Sequence, residues 1–351
     1  RVIAAFASRA VQTDASMLGD MTVSMLEGER GPLKKEFEKL IDWVRDEPVP
    51  DVINLPNSLL IALAEPLART VRRPVCCTLQ GEELFIQGLQ PRYRDRALGL
   101  IREQVRHVDR FIAVSDYCAG FMGRLLHIPD NRMSVVPLGI DTTGYGPPSP
   151  EAGVFTVGYF ARIAPEKGLL ELAQAYVAFR RRLGADARTR LRAAGYNAPG
   201  PSPYLDRVRR TLADAGLADE FAYEGELDRN QKLAYLRSLD VLSVPATYDE
   251  PKGLFLIEAM ASGIPVVQPS RGAFVEVLTR TGGGLLIEGD GSTALADGLH
   301  ALWSDPSQRR ELGAKGAAGV QKHYTLAQST TRLLDVYADV IRPGSATRPR
   351  E

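Results

Sequence analysis

Cysteine and histidine are scarce. The 351 residues hold three cysteines (Cys76, Cys77, Cys118) and four histidines (His107, His127, His300, His323). The cysteines form no C-x-x-C pair and no metal spacing, so they read as small buried hydrophobes of a reducing compartment. The histidines are scattered, and neither a metal site nor a cofactor is expected. A charge imbalance is also missing. Lys+Arg and Asp+Glu both number 43, for a formal net charge of zero, which argues against nucleic acid as the main partner. No apolar run approaches the roughly 18 residues of a spanning helix, and the start lacks the order of a signal peptide. The expectation is a cytoplasmic protein. Basic clusters at residues 92–96 and 180–182 leave open a peripheral contact with the inner face of a membrane through anionic lipid. No G-x-G-x-x-G follows a strand near the start of either half, which speaks against a nicotinamide-dependent dehydrogenase.

What is present is an alternation. From about Asp51, short apolar runs alternate with amphipathic segments, the mark of βα units on a parallel sheet. Strands are expected at residues 52–55, 74–79, 111–115 and 133–137, with helices over 58–72, 92–108 and 117–127 between them. The first forty-odd residues read mostly as helix, with apolar spacing of three to four over residues 32–44. Residues 144–153 (Gly-Tyr-Gly-Pro-Pro-Ser-Pro-Glu-Ala-Gly) are turn-forming and make the best linker. Beyond them the alternation restarts, with strands expected near 155–160, 191–195, 221–224, 241–245 and 265–268. At 44% hydrophobic content the chain can bury two ordinary cores. The expected class is α/β with two Rossmann-like domains, 1–148 and 149–325, followed by a helix over 326–341 and a frayed tail over 342–351. The chain opens on Arg1 rather than Met, with no Gly-rich turn after residues 1–10, as in a fragment.

The most informative stretch is 248–267, Tyr-Asp-Glu-Pro-Lys-Gly-Leu-Phe-Leu-Ile-Glu-Ala-Met-Ala-Ser-Gly-Ile-Pro-Val-Val. It holds two acids, Glu250 and Glu258, and the second rides on a helix that Gly253 opens. A helix N-terminus presents unpaired N–H groups and the positive end of the helix dipole, so Gly253, Leu254 and Phe255 suit phosphate. Glu258, further along, suits both hydroxyls of a ribose. Apolar residues flank Glu258 almost on every side, and a carboxylate embedded there needs partners. The plain alternative makes both acids capping or surface groups.

Other loops after strands carry suitable groups. Arg162 and Lys167, in residues 159–168, combine a planar fork of donors with a mobile point charge that together suit a diphosphate; two solvated cations are the alternative. In residues 223–228, Tyr223 and Gly225 allow close backbone approach to a base, and a plain turn is equally compatible. In the first domain, Gln80 or Glu82 follows a strand and could meet a sugar hydroxyl. Ser115 reads as the cap of the helix beginning near Tyr117.

Assembled in order, these residues resemble the family-4 retaining glycosyltransferases of the two-domain GT-B type. The likeness runs from about Asp51 to Tyr324. It is carried by residues 111–115, by Val135-Val-Pro-Leu-Gly-Ile-Asp141, by Arg162 with Lys167-Gly168, and by residues 250–267. The resemblance implies a nucleotide-diphosphate-sugar donor, retention of anomeric configuration and, in general, no bound metal. It implies that Arg162 and Lys167 grip the diphosphate, that Glu258 holds the ribose, and that Glu250 addresses the donor sugar near its reacting carbon. It also implies a last helix returning to the first domain, and an acceptor (sugar, lipid or small molecule) that the sequence does not identify. Two positions depart from the pattern. Gln80 stands where many relatives have His, and cannot take a proton at neutral pH. The strand and Gly-rich loop that open relatives are expected to be absent before Asp51 or shrunk beyond recognition. The alternative expectation is therefore a nucleotide-sugar-binding protein or subunit without catalysis.

Overall fold

The computed structural model describes residues 15–289 and 291–342. The expectations placed on residues 1–14 and on the tail beyond Arg342 lie outside the described residues. The chain divides into two compact units, Arg1–Pro137 with Thr330–Glu351, and Leu138–Ser329.

In the first unit, helices α1 (Ala15–Glu27) and α2 (Lys34–Asp46) precede the sheet. α2 buries Phe37 and Ile41, one turn apart, as the apolar spacing requires. Strands β1 (Ile53–Leu55), β2 (Val75–Leu79), β3 (Arg110–Ala113) and β4 (Met133–Val135) form a parallel sheet in the order β1-β2-β3-β4. The helix expected over 58–72 is split. A 3-10 segment, Ser58–Leu63, comes first, and α3 (Ala64–Val71) follows. Pro66 explains the break: it has no N–H for the Ala62 carbonyl, so an α-helical ladder cannot run through it. Asn57 caps the 3-10 segment through Leu59 N–H. Helices α4 (Glu83–Gly88), α5 (Pro91–Gln104) and α6 (Asp116–Leu126) follow. Ser115 caps α6, accepting from Cys118 N–H at 2.9 Å, so the capping reading of that serine holds.

The second unit is built on β5 (Phe155–Phe160), α7 (Leu169–Arg180), β6 (Thr189–Ala194), α8 (Pro203–Asp214), β7 (Phe221–Tyr223), α9 (Arg229–Arg237), β8 (Val241–Leu242), α10 (Leu254–Ala261), β9 (Val266–Pro269), α11 (Ala273–Thr281), β10 (Gly284–Ile287), α12 (Ser292–Ser304) and α13 (Pro306–His323). Its six strands are all parallel, in the order β10-β9-β8-β5-β6-β7. β5 is buried along nearly its whole length, as a central parallel strand covered on both faces must be. α7 is apolar almost all round and packs against α12; Tyr176 and Phe179 on it are fully buried. The turn-forming stretch 144–153 lies within this unit. Just before it, Ile140 bridges Thr325 and Asp141 pairs with Arg229.

The last helix, α14 (Leu326–Ile341), counts with the first unit from Thr330 onward. There Val340 is buried with Cys76, Ile112 and Val136. Among the described residues, no helix is long and apolar enough to cross a membrane.

Candidate functional site

The chain lays down β5, β6 and β7 in one direction, then returns to place β8 on the other side of β5. Open parallel sheets bind ligands outside the carboxyl ends of their strands at such a reversal. The loop leaving β5 carries Arg162 and Lys167, and the loop leaving β8 carries Tyr248, Glu250 and Gly253. Thr247 N–H donates to the Glu166 carbonyl at 2.9 Å and fastens the two loops together. Gly168 makes the closest approach: its φ is +77°, and a Cβ there would lie 2.0 Å from the Pro245 carbonyl oxygen. No side chain fits between the two backbones.

This approach brings Lys167 to Glu250. Lys167 Nζ donates to Glu250 Oε2 at 2.5 Å and to the Tyr248 hydroxyl at 2.6 Å. The Tyr248 hydroxyl donates in turn to Glu250, and Lys252 N–H reaches its other oxygen at 3.3 Å. The ammonium also lies over the rings of Tyr248 and Phe255, 5.0 and 5.9 Å from their centroids. Glu250 is 5% exposed. Burial pushes its carboxyl up, but the Lys167 charge, with the hydrogen bonds from Lys167, Tyr248 and Lys252, outweighs burial and holds it below the ordinary carboxylate range. The acid is therefore ionised at neutral pH.

Gly253, at φ +66°, opens α10, whose first turn follows with Leu254 and Phe255. The first N–H groups of a helix have no partner within it, so the Lys167–Glu250 cluster lies at a patch of backbone donors. On the same helix, Glu258 is only partly accessible. Its Oε1 accepts from Lys232 Nζ at 2.6 Å and from the Tyr145 hydroxyl at 3.3 Å. These are the partners its apolar surroundings called for. Burial and the Glu258 charge push the Tyr145 phenol well above its ordinary range, so it stays protonated. Arg162 turns elsewhere: it pairs with Glu166 on its own loop, and its side chain is 54% exposed.

Both parts of the chain match known families in turn. "Glycosyl transferases group 1" matches residues 149–318 and "Glycosyltransferase Family 4" matches residues 24–143. The chain belongs to the group 1, family 4 glycosyltransferases. It is similar to the lipopolysaccharide core biosynthesis mannosyltransferase LpsB of Rhizobium meliloti, 29% identical over 70% of this chain and 70% of that one. It is also similar to a GDP-mannose-dependent phosphatidylinositol monomannoside mannosyltransferase of Mycobacterium tuberculosis, at 27% identity. That match covers 63% of this chain and 58% of the relative's length. In fold it resembles Anabaena HepE, solved in complex with UDP, with a TM-score of 0.74 over 86% of this chain and 81% of that one at 19% identity. The architecture is GT-B, two Rossmann-like units with parallel sheets of four and six strands.

In this glycosyltransferase the remaining candidates stand as follows. Tyr223 ends β7 and donates its hydroxyl to the Gly195 carbonyl at 2.8 Å. Gly225 holds φ +77°, with open space where a Cβ would stand. Gln80 Nε2 donates to the Pro56 carbonyl at 2.8 Å, within the first unit. Glu82, expected as an alternative sugar contact, is instead a brace. It is buried, with one oxygen accepting from Ser58 N–H and the other from Gln80 N–H. Among the described residues, no group of three or more His, Cys, Asp or Glu could hold a metal ion. Sequence reasoning missed Tyr248, Lys232 and Tyr145. Tyr248 stood inside the quoted motif and could have been found there. Tyr145 lay in the stretch read as linker, and Lys232 on a helix read only as amphipathic.

Proposed function

We propose that this glycosyltransferase moves a hexosyl group from a nucleotide-diphosphate sugar to an acceptor hydroxyl with retention of anomeric configuration. In this reading the second unit takes the donor. The diphosphate lies between Arg162, Lys167 and the mouth of α10 at Gly253, Leu254 and Phe255. Glu258 holds the ribose, Tyr223 and Gly225 stand on the side of the base, and Glu250 faces the donor sugar. The first unit supplies the acceptor side. As the sugar–phosphate bond stretches, negative charge builds on the diphosphate, and Lys167, the backbone donors at the α10 mouth and an Arg162 that leaves Glu166 stabilise it. The acceptor attacks from the leaving-group face and passes its proton to a phosphate oxygen, so no protein base is needed.

The observation that carries the reading is the meeting of Lys167, Glu250 and the α10 mouth at the reversal of strand order. Relatives whose names specify GDP-mannose, and a fold neighbour holding UDP, support the nucleotide class. Incubation with UDP- and GDP-sugars and a panel of sugar and lipid acceptors tests it, with nucleoside diphosphate release followed and the product anomer read by NMR. Retention is expected; an inverted anomer would remove the proposed mechanism. Gln80 favours a second reading, binding without transfer, because its amide is engaged by Pro56 where a titratable side chain would serve the donor sugar. Nucleotide-sugar binding without release or transfer, across the panel, would select that reading.

A further inference from the structure

The carboxylate of Glu258 is unevenly occupied. Both of its contacts fall on Oε1, from Lys232 Nζ at 2.6 Å and from the Tyr145 hydroxyl at 3.3 Å. Among the described residues, Oε2 accepts no hydrogen bond. A carboxylate offers about two acceptor positions on each oxygen, so Oε1 is full and Oε2 is open. A vicinal diol that donates to both oxygens therefore needs one of the Oε1 partners to leave.

The two partners differ in strength and in footing. Both bonds meet a carboxylate and are charge-assisted, but only the Lys232 contact is a short ion pair, with opposite charges 2.6 Å apart. The Tyr145 contact is long for an O–H···O bond, whose usual length is about 2.7–2.8 Å. Lys232 stands in the first turn of α9, and that turn is pinned. Asp228 and Gln231 close a capping box, and Lys232 N–H donates to the Asp228 carbonyl at 2.8 Å. Arg229 beside it donates to Asp141 at 3.0 Å and to the Thr143 carbonyl at 2.8 Å. Tyr145 comes from irregular chain: the residues before it are tied to the same Arg229, its ring packs against the core of the unit, and its own N–H makes one long bond, to the Thr142 carbonyl at 3.4 Å. The difference lies in the two contacts themselves: the ion pair is short and the hydroxyl contact long, so the hydroxyl is the one to yield.

We propose that Lys232 is a positioning residue that fixes the Glu258 carboxylate for a ribose diol, and that the Tyr145 hydroxyl occupies the place one ribose hydroxyl takes. The proposal rests on the assignment of Glu258 to the ribose. Lys232 keeps one oxygen anchored and turns the other toward the ligand. Tyr145 keeps the anchored oxygen solvated by a hydroxyl until a ligand hydroxyl replaces it.

The test is the ratio of dissociation constants for 2′,3′-dideoxy against ribo forms of UDP and GDP, measured by calorimetry. The ratio is internal to each variant, so loss of folded protein lowers stoichiometry and leaves the ratio intact. Glu258→Ala is expected to bring it to about one from a parental value on the order of 10–100, the span of hydrogen bonds to a charged group. Lys232→Gln should lower the ratio about 5–10-fold with the dideoxy constants nearly unchanged, and Lys232→Arg should restore most of it. Tyr145→Phe should leave the ratio unchanged or raise it about twofold, since a competing donor is gone. A parental ratio in Lys232→Gln beside a collapsed one in Glu258→Ala would overturn the role of Lys232 alone. A lowered ratio in Tyr145→Phe would overturn the placeholder role. A parental ratio in Glu258→Ala would overturn the ribose assignment and this proposal with it.

Discussion

Replacing Lys167 by Met isolates the physics of the site. Lys167 and Glu250 form an ion pair whose side chains are only 16% and 6% exposed. Removing one partner of a buried pair typically costs about 3–5 kcal/mol, because the other charge is left without compensation. Here the Tyr248 hydroxyl and Lys252 N–H remain on Glu250, so a loss near the lower end, about 3 kcal/mol, is expected at pH 7. The pH dependence is the sharper signature. In the parent, the Glu250 carboxyl sits below its ordinary value of 4.5. Its contribution is present above that value and is lost as pH falls through the folded one. In Lys167→Met, burial, already the largest single influence on Glu250, is no longer outweighed and raises the folded value instead. The variant then gains relative stability as pH falls from neutrality toward 4.5. Urea denaturation from pH 5 to 8 should show the gap between parent and variant narrowing toward acid. A gap that is under about 0.5 kcal/mol at pH 7, or constant with pH, would refute the pairing as the organiser of this cluster.

Glu250→Gln should bind free nucleoside diphosphates within about twofold of the parent, since a hydrogen-bonding side chain of the same shape is kept. The same change should slow turnover on the order of 100-fold, as loss of a transition-state contact does; weakened nucleotide binding with normal turnover would reverse the assigned roles. Gly168→Ala combines a left-handed φ with a 2.0 Å clash against the Pro245 carbonyl, so a loss above about 2 kcal/mol is expected in urea melts. Gly253→Ala meets nothing closer than 3.4 Å and should cost only about 1 kcal/mol, from the backbone alone.

The fold was legible because the inner parallel strands β2, β3, β5, β8 and β9 are buried and read as nearly continuous apolar runs, and the shorter or half-exposed strands fall at the same spacing between helical segments. β10 escaped notice: it is four residues long and follows directly on Gly282 and Gly283. The break at Pro66 was also there to be seen, since a proline two residues into a helix constrains where its ladder starts. At the site, Lys167, Glu250, Gly253 and Glu258 were visible because a loop followed by a helix N-terminus is a local pattern. Lys232 and Tyr145 were not, because their contacts with Glu258 span 26 and 113 residues. Such pairs follow from the order of strands in the sheet, which periodicity does not reveal. Glu82 shows the converse failure. A carboxylate in a loop after a strand looked like a ligand contact, and the fold uses it to join its own backbone at Ser58 and Gln80.

Calorimetric titration of UDP and GDP into the parent and into Glu258→Ala reads the ribose contact itself. One of the two nucleotides is expected to bind the parent, and the substitution to weaken it by about 1.5–3 kcal/mol, the range for hydrogen bonds to a charged group. Equal affinity in the two proteins would contradict that contact.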